Sequence, residues 1–339
     1  MKAIVVEGPG QYRLKEVPTP EIKNPDDVLV KIHAVGICGS DLHLLHGGNP
    51  SAKYPRVPGH EMTGEVIAVG NAVKNFKVGD RVIAEPLRYC GTCHACLRER
   101  RNVCEHLQIV SVHLDGGFSE YYVSPEKNLF KLPDFISYEL ATAIEPCTIG
   151  EQANSRADTR RGDTVLIHGA GPIGITVMDS AKRIGARVLI SEPSASRRAM
   201  ALDFGADVVI DPIKEDLRAR VMEETKGVGP NEIFDAAGIP KLLPLSIDLV
   251  ATAGFIVPMS FSTEPVAINC ASLNMKEVTI AGTRHQYKKF QKVINELPER
   301  MDMLKRFVTH VYEFADYEEA IRTASDPNAG ACKVVMKLC

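Results

Sequence analysis

The chain has 339 residues, of which 45% are hydrophobic and 24% are charged, and its formal net charge at pH 7 is −3. This composition is typical of a globular protein of about two domains, and the slightly acidic charge argues against broad electrostatic binding to nucleic acid. No apolar run approaches the roughly 20 residues that a membrane-spanning helix needs. The N-terminal sequence predicts a strand and not a secretion signal, so the nine cysteines are expected to be reduced thiols or metal ligands in the cytoplasm.

The first 145 residues are rich in short Val and Ile runs that are broken by Gly and Pro. Examples are the runs at 28–33, 63–69 and 80–84. Such regular punctuation predicts a β-barrel or sandwich with long loops.

The pattern changes near residue 160, where short apolar runs begin to alternate with segments of helical spacing. The predicted strands are 164–168, 187–190, 208–210, 232–235 and 254–257, and the predicted helices include 172–184 and 197–204. This alternation predicts a doubly wound parallel sheet. After about residue 285 the sequence predicts two helices and a final strand at 333–337, which we expect to return to the first domain.

Four cysteines lie within fifteen residues, at Cys90, Cys93, Cys96 and Cys104. Short Cys spacings let one loop wrap a zinc ion, which prefers four thiolates in structural sites. A closed site of this kind has no open coordination position, so we expect a structural and not a catalytic metal. A chance cluster or a disulfide pair is the competing interpretation.

A glycine-rich turn, Gly169-Ala-Gly171-Pro172-Ile173-Gly174, follows a predicted strand and opens a predicted helix. Glycines there permit a tight turn and close approach of a pyrophosphate to the helix N-terminus. Glu192 ends the next strand and can accept the ribose hydroxyls of NAD. Arg197 fits beside that ribose, although Arg197 and Arg198 together keep NADP as an alternative.

A second group of potential metal ligands is spread over the first 145 residues: Cys38, His60, Glu61 and Glu145. Each is unremarkable alone, because a lone Cys is more often a small buried hydrophobe. Their motifs occur, however, in a specific order: GICGSD around Cys38, GHE around His60, the four-cysteine lobe, Glu145-Pro146 and the glycine turn. In this order the whole chain resembles the zinc-containing medium-chain dehydrogenases.

The resemblance implies a GroES-like β-barrel catalytic domain and a Rossmann cofactor domain. The catalytic domain would comprise residues 1–148 and 286–339, with the zinc lobe at about 86–106, and the NAD-binding domain would comprise 149–285. Relatives form dimers or tetramers, so a homodimer or homotetramer is expected.

The resemblance also implies two zinc ions per subunit, one structural and one catalytic. Cys38, His60 and Glu145 would hold the catalytic Zn²⁺, with water or substrate in the fourth position and Glu61 beside the ligands or exchanging with them. Ser40 would accept the alcohol's proton, and His43 would pass it to solvent. Asp41 would orient His60.

The substrate is predicted from motifs that are less specific than those of the metal ligands and the glycine turn. Glu145 replaces a cysteine and indicates the sorbitol and polyol branch. The segment 112–121 resembles enzymes that oxidise L-galactonate or L-gulonate, and starvation-sensing dehydrogenase-like proteins. His113 and Arg284 would then contact the substrate, Arg284 by pairing with a carboxylate, although the cofactor phosphates are an alternative partner for its guanidinium. The expected reaction is hydride transfer from a secondary hydroxyl of a sugar acid to NAD⁺, with a neutral polyol such as sorbitol or xylitol as the alternative.

Two other classes compete with an enzyme. A zinc-supported DNA or RNA binder is suggested only by the cysteine lobe, and the acidic net charge opposes it. A catalytically silent regulatory relative that binds cofactor is opposed by the complete set of candidate catalytic residues.

Overall fold

The computed structural model describes residues 1–48 and 51–338. The chain divides into two compact units. The first comprises Met1–Glu145 together with the chain from Phe290 onward, and the second comprises Pro146–Lys289. The second unit is thus inserted into the sequence of the first. Within the described residues, no helix has the length and apolar character needed to span a membrane.

The N-terminal part of the first unit consists mainly of strands. These are β1 (Lys2–Gly8), β2 (Gln11–Glu16), β3 (Asp27–Ile37), β4 (Glu61–Val69), β5 (Arg81–Ala84), β6 (Leu87–Arg88), β7 (Gln108–Ile109), β8 (Tyr121–Pro125) and β9 (Leu129–Lys131). Its short helices are α1 (Gly39–Leu45), α2 (His94–Leu97) and α3 (Tyr138–Ala141).

Strands and helices alternate in the second unit, as the sequence predicts. They are α4 (Ile144–Ala157), which contains the boundary, and then β10 (Thr164–His168), α5 (Pro172–Ile184), β11 (Arg187–Ser191), α6 (Ala195–Asp203), β12 (Val208–Ile210), α7 (Leu217–Glu224), β13 (Glu232–Asp235), α8 (Leu242–Leu249), β14 (Phe255–Pro258), α9 (Cys270–Lys276) and β15 (Thr279–Ile280).

The C-terminal part holds one strand and one helix more than the sequence analysis predicts. Its elements are α10 (Phe290–Asn295), α11 (Leu297–Phe307), β16 (Val308–Glu313), α12 (Tyr317–Ser325) and β17 (Lys333–Lys337). The predicted final strand has the observed bounds and returns to the first unit, where it pairs with β3.

A seven-stranded sheet forms the framework of the first unit. Its order is β16-β17-β3-β4-β5-β9, and β8 also pairs with β3. The long strand β3 therefore lies between β17, which comes from the far end of the chain, and β4. Apolar side chains such as Ile32, Met62 and Met336 are at most 1% exposed and form the core. This packing fixes the loops at the ends of β3 and β4.

The second unit is a six-stranded parallel sheet with the order β12-β11-β10-β13-β14-β15. The strand order reverses between β10 and β13, which is the point where doubly wound folds bind ligands at the carboxyl ends of the strands. Leu166, Leu189, Ile233 and Ile256 pack in its core. The predicted doubly wound sheet is confirmed.

Candidate active site

Cys38, His60 and Glu61 come together where the end of β3 meets the start of β4, two interior strands of the seven-stranded sheet. Cys38 lies between β3 and α1, and Glu61 opens β4 directly after His60. The antiparallel register pairs Gly36 with Glu61, so the two loops lie side by side. One ligand atom from each of the three residues lies within 4.8 Å of the other two. Pairing of β3 with β4 thus brings Cys38 and His60 together although they are far apart in the sequence.

His60 is held by two polar neighbours. Its Nδ1 lies 3.4 Å from Asp41 Oδ1 and 3.1 Å from Ser111 Oγ. Asp41 is itself fixed, because it accepts hydrogen bonds of 3.0 Å from the backbone N–H groups of Cys38 and Gly59. With Nδ1 engaged, Nε2 of His60 is the nitrogen that is free to bind a metal. The predicted orienting contact of Asp41 with His60 is present.

The electrostatic interaction between His60 and Asp41 favours a positive charge at this place. Burial by itself lowers the pKa of His60, but Asp41 and Cys38 outweigh burial and raise this pKa well above its ordinary value. Burial likewise raises the pKa of Asp41, but the charge of His60 and the hydrogen bonds lower it on balance. A positive charge is therefore stabilised at the point where Cys38 and His60 meet.

Glu145 is the second residue of α4 and is 5% exposed. It is not one of the three residues whose ligand atoms lie within 4.8 Å of one another. Burial, and then the nearby Glu61 carboxylate, raise the pKa of Glu145 to about 7, against the opposing charges of His60 and Lys333. Glu145 thus shares the electrostatic environment of the cluster.

Glu61 is almost completely buried, and one of its oxygens has an ammonium partner. Its Oε1 lies 2.6 Å from Nζ of Lys333. Its Oε2 is buried and has no hydrogen-bond partner among the described residues. A Cβ built on Gly36 would lie 2.1 Å from this Oε2, so Gly36 provides the space that the carboxylate occupies. A thiol, an imidazole and buried carboxylates form a donor set that fits Zn²⁺.

The cysteine lobe has the geometry of a tetrahedral metal site. Sγ of Cys90 lies 4.0 Å from that of Cys96 and 3.5 Å from that of Cys104, and the sulfurs of Cys93 and Cys104 are 3.8 Å apart. Zn–S bonds of about 2.3 Å in a tetrahedron separate the sulfurs by about 3.8 Å. All four cysteines are free thiols, so the disulfide interpretation does not apply.

Backbone N–H groups favour ionisation of one of these thiols, that of Cys90. The N–H groups of Thr92 and Cys93 each donate to Cys90 Sγ over 3.4 Å. Hydrogen bonds from Thr92 and Cys93 lower the pKa of Cys90 to about 5, whereas burial raises that of Cys96 to about 12. Cys90 is therefore ionised at neutral pH. Thiolates, and not thiols, are the form of cysteine that binds a metal.

The glycine turn has the conformation of a phosphate-binding loop. Gly169 has φ +96°, and a Cβ on Gly174 would lie 2.1 Å from the carbonyl oxygen of Gly169. Gly171 caps α5, which begins at Pro172 and has the bounds that the sequence predicts. A Cβ on Gly171 would meet nothing within 4 Å, so a ligand has room to approach the backbone at Gly171.

Glu192 closes this loop from the next strand. Its carboxylate accepts from the backbone N–H groups of Ala170 at 2.9 Å and Ser194 at 2.8 Å. Arg197 is half-buried in the first turn of α6. The guanidinium of Arg198 is held by the Glu192 carbonyl at 2.7 Å and by Asp211 at 2.8 Å.

The remaining candidates lie on α1 and on two loops. Ser40 and His43 are exposed on α1, three residues apart and therefore on one face of the helix. His113 is exposed, and its Nδ1 accepts from the Ile109 N–H at 3.0 Å, which leaves Nε2 as the donor. Arg284 is half-buried in the second unit.

Sequence reasoning missed Ser111 and Lys333. Ser111 is buried with φ +77°, and no short motif marks it. Lys333 had a signal: a charged residue opens a strand whose next three residues are all apolar. Its partner, 272 residues away, could not be inferred.

Two family models match the chain. The alcohol dehydrogenase GroES-like domain matches residues 24–134, and the zinc-binding dehydrogenase domain matches residues 172–306. The first lies in the unit with the seven-stranded sheet, and the second covers most of the parallel sheet.

Similar proteins cover nearly the full length of the chain. The starvation-sensing protein RspB of Escherichia coli K12 is 37% identical over 99% of both chains. An L-threonine 3-dehydrogenase of Pyrococcus horikoshii is 37% identical over 100% of this chain and 99% of its own. L-galactonate-5-dehydrogenase of E. coli K12 is 32% identical over 94% of both chains.

The fold is also that of a solved structure. RspB of E. coli CFT073, in complex with NADH, has a TM-score of 0.92 and 36% sequence identity, covering 100% of this chain and 99% of that one. The resemblance inferred from the sequence is thereby confirmed: the chain belongs to the zinc-binding, medium-chain alcohol dehydrogenase family.

Proposed function

We propose that this protein transfers a hydride from a secondary hydroxyl of a sugar acid of the L-gulonate or L-galactonate type to NAD⁺, giving a keto acid. The observation that carries the proposal is that Cys38, His60 and Glu61 lie close together, with the ring of His60 oriented by Asp41. The family assignment supports the reaction class, and the sugar acid is our own addition.

Cys38, His60 and Glu145 would hold the catalytic zinc, and Cys90, Cys93, Cys96 and Cys104 a structural one. When bound, the catalytic ion supplies Lewis-acid chemistry that stabilises the developing oxyanion of the alcohol. The protein's own task is to hold the ligands. Asp41 and Ser111 fix the ring of His60, and the strand pair β3–β4 fixes the distance between Cys38 and His60.

The alcohol's proton would leave along α1. The Ser40 hydroxyl would accept it while giving its own proton to a relay through the nicotinamide ribose, and His43, on the same exposed helix face, would pass a proton to solvent. An exposed imidazole suits this second step because it can accept a proton on one ring nitrogen and release one from the other.

NAD is favoured over NADP by the surroundings of Glu192. The buried Glu192 carboxylate stands where the ribose hydroxyls bind in this fold and would repel a 2′-phosphate. Arg198 already binds two backbone carbonyls and Asp211, so its guanidinium is engaged elsewhere. Gly169, Gly171 and Gly174 would accommodate the pyrophosphate.

The preference for an acid rests on His113, Arg284 and the relatives. An imidazole such as that of His113 can bind a hydroxyl or a carboxylate, and a guanidinium such as that of Arg284 pairs well with carboxylates. Two of the relatives carry the names of L-galactonate and L-threonine dehydrogenases, and both of these compounds combine a secondary hydroxyl with a carboxylate.

A substrate screen tests the proposal. Zinc-loaded protein is assayed for NADH formation with L-gulonate, L-galactonate, sorbitol, xylitol and L-threonine, and again with NADP⁺. We expect kcat/KM for one aldonate to exceed that for every neutral polyol by at least about tenfold, the value of one lost charged contact of about 1.4 kcal/mol. His113→Gln should lower the aldonate value more than the polyol value.

Other outcomes would revise the proposal at different levels. Best turnover on sorbitol or xylitol would keep the mechanism and discard the acid, and best turnover on L-threonine would replace the sugar with an amino acid. No turnover on any alcohol, with both metals counted, would favour a silent regulatory relative.

A further inference from the structure

The first unit contains an open cavity of about 640 Å³, which lies within the size range of small-molecule pockets in proteins. None of its lining residues is a proposed ligand of either zinc ion, so it is separate from both metal sites. The apolar part of its wall is formed by Val5, Val17, Pro20, Val57, Leu114 and Tyr121. The cavity can therefore take up a molecule with a largely apolar body.

One charged side chain in this wall, that of Arg88, has no acidic partner. Its Nη2 donates to the Tyr122 hydroxyl at 3.0 Å and to the Val123 carbonyl at 3.3 Å, and both acceptors are uncharged. No carboxylate among the described residues forms an ion pair with this partly buried guanidinium. Its Nε is buried and has no acceptor in the described part of the chain. Because a buried charge is costly unless it is paired, an anion in the cavity would supply what Arg88 lacks.

The other charged side chains around the cavity are balanced. Arg56 pairs with Asp115 over 2.9 Å. Asp27 accepts three hydrogen bonds, two of them from backbone N–H groups. Glu21 and Lys23 are both exposed and carry opposite charges. The guanidinium without an acidic partner is thus the group that would select the charge of a ligand.

Two segments of the wall belong to loops that lead toward the candidate active site. The N–H of Val57 donates to Asp115 over 3.0 Å, and the N–H of Gly116 donates to the Val57 carbonyl over 2.8 Å. Val57 precedes His60 by three residues. A ligand in the cavity would thus contact the chain that leads to His60 without occupying the metal site.

We propose that this cavity is a second small-molecule site, which binds an organic carboxylate with an apolar body. The carboxylate would pair with the guanidinium of Arg88, and the apolar body would lie against Val17 and Tyr121. A sugar acid carries hydroxyls along its whole length, so the proposed substrate does not match these apolar walls. The inference does not depend on the proposed reaction.

The test compares 4-phenylbutyrate, which joins a phenyl group to a carboxylate, with its neutral amide, 4-phenylbutanamide. Binding to the zinc-loaded protein is followed by ligand-observed NMR titration, with NADH present to fill the cofactor site. The variants are Arg88→Met, Arg88→Lys and Val17→Phe. Arg322→Met changes a side chain that is 75% exposed and outside the cavity, and it is the matched control. Cys38→Ser shows whether the probe binds at the proposed catalytic metal instead.

We expect the acid to bind the wild type with a Kd of about 1 mM or lower. The amide should bind at least about tenfold more weakly, because it lacks the charge-assisted hydrogen bond. Arg88→Met should weaken the acid to the level of the amide, whereas Arg88→Lys should keep most of the difference because it keeps the charge. Val17→Phe should weaken both probes, since the larger side chain fills the cavity. Arg322→Met and Cys38→Ser should bind both probes as the wild type does.

Four results would overturn the inference. The first two need no variant: no saturable binding of the acid, or equal affinities of acid and amide for the wild type. The third is a preference for the acid that persists in Arg88→Met, or, if that variant does not fold, unchanged binding in Val17→Phe. The fourth is loss of binding in Cys38→Ser, which would place the probe in the active site. Failure of the proposed function would instead appear in the substrate screen, which this cavity does not affect.

Discussion

At the scale of single residues, His60 shows how neighbours convert an ordinary side chain into a potential ligand. Asp41 and Ser111 both face Nδ1, at 3.4 and 3.1 Å, so the ring can turn only Nε2 toward Cys38. Asp41 is in turn fixed by two backbone N–H groups. The result is a preorganised donor that loses little rotational freedom when a metal binds.

Cys38→Ser tests the catalytic site directly. We expect turnover to fall by about a thousandfold or more, because a Lewis acid supplies several kcal/mol of transition-state stabilisation. Binding of NADH should stay within about twofold of wild type, since the glycine turn belongs to the other unit. Metal analysis, steady-state kinetics and NADH fluorescence measure the three quantities.

Cys270→Ser is the matched control for that experiment, because Cys270 is an exposed thiol outside both clusters. It should retain both metals and full turnover. Near-normal turnover in Cys38→Ser would contradict the assignment of the catalytic metal.

At the scale of elements, the cysteine lobe is a loop organised around sulfur. It has one short helix, α2, and a small buried cluster that includes Leu87, Cys96, Cys104 and Leu107. So few apolar contacts provide little hydrophobic stabilisation. The lobe is therefore expected to depend on its metal for order.

Cys93→Ser should release the metal of the lobe and lower stability without removing the catalytic metal. When the cross-link of a fifteen-residue loop is lost, the unfolded chain gains entropy, which destabilises the fold by about 3 kcal/mol in the usual cross-link model. Urea unfolding and metal counting measure the loss. Leu97→Ser changes an exposed side chain in the same lobe and should neither release its metal nor lower stability. If Cys93→Ser kept two metals and wild-type stability, the lobe would not be a zinc site.

Elements also show what the sequence can and cannot predict. Helix α5 was predicted with its observed bounds because Gly171 and Pro172 mark its start and the left-handed Gly185 its end. Strand β16 and helix α12 were not separated from their neighbours in a segment predicted only as two helices and a strand. The partner of Lys333 depends on strand pairing over 272 residues, which local patterns do not encode.

At the scale of the whole molecule, two buried groups in the second unit should shape the dependence of stability on pH. Burial, and then the Asp163 carboxylate, raise the pKa of Glu232 to about 9. Burial lowers the pKa of His168 to about 4. Both groups are therefore neutral in the folded protein at pH 7, and they act on opposite sides of neutrality.

Glu232→Gln should stabilise the protein above neutral pH. The unfolded carboxyl ionises near 4.5, so the wild type loses stability as the pH rises from there to about 9. At pH 7 the loss amounts to at most about 3 kcal/mol. Urea titrations at pH 5 and pH 8 should show the gain chiefly at pH 8. Glu223→Gln, on an exposed side chain, is the control, and an equal gain from it would refute the prediction.

His168→Asn should reduce the loss of unfolding free energy at acidic pH. The unfolded imidazole gains its proton near pH 6.5, whereas the folded one resists protonation down to about pH 4, so stability is lost as the pH falls across this interval. The wild type should lose up to about 3 kcal/mol more than the variant between these two values. The slope of unfolding free energy against pH is the measurement, and equal slopes would exclude His168 as the cause.

The return of β17 to the first unit has a consequence for synthesis on the ribosome. The residues of the proposed metal sites are all translated by residue 145, but Lys333 emerges almost two hundred residues later. Until then the last residues of β3, Ala34–Ile37, lack a neighbour on one side, and the Glu61 carboxylate lacks its ammonium partner. Cys38, His60 and Glu61 can thus meet before the sheet is complete, and arrival of the last strand would then pair the Glu61 carboxylate with Lys333. The order in which the polypeptide leaves the ribosome would make completion of the sheet the step that neutralises this buried carboxylate.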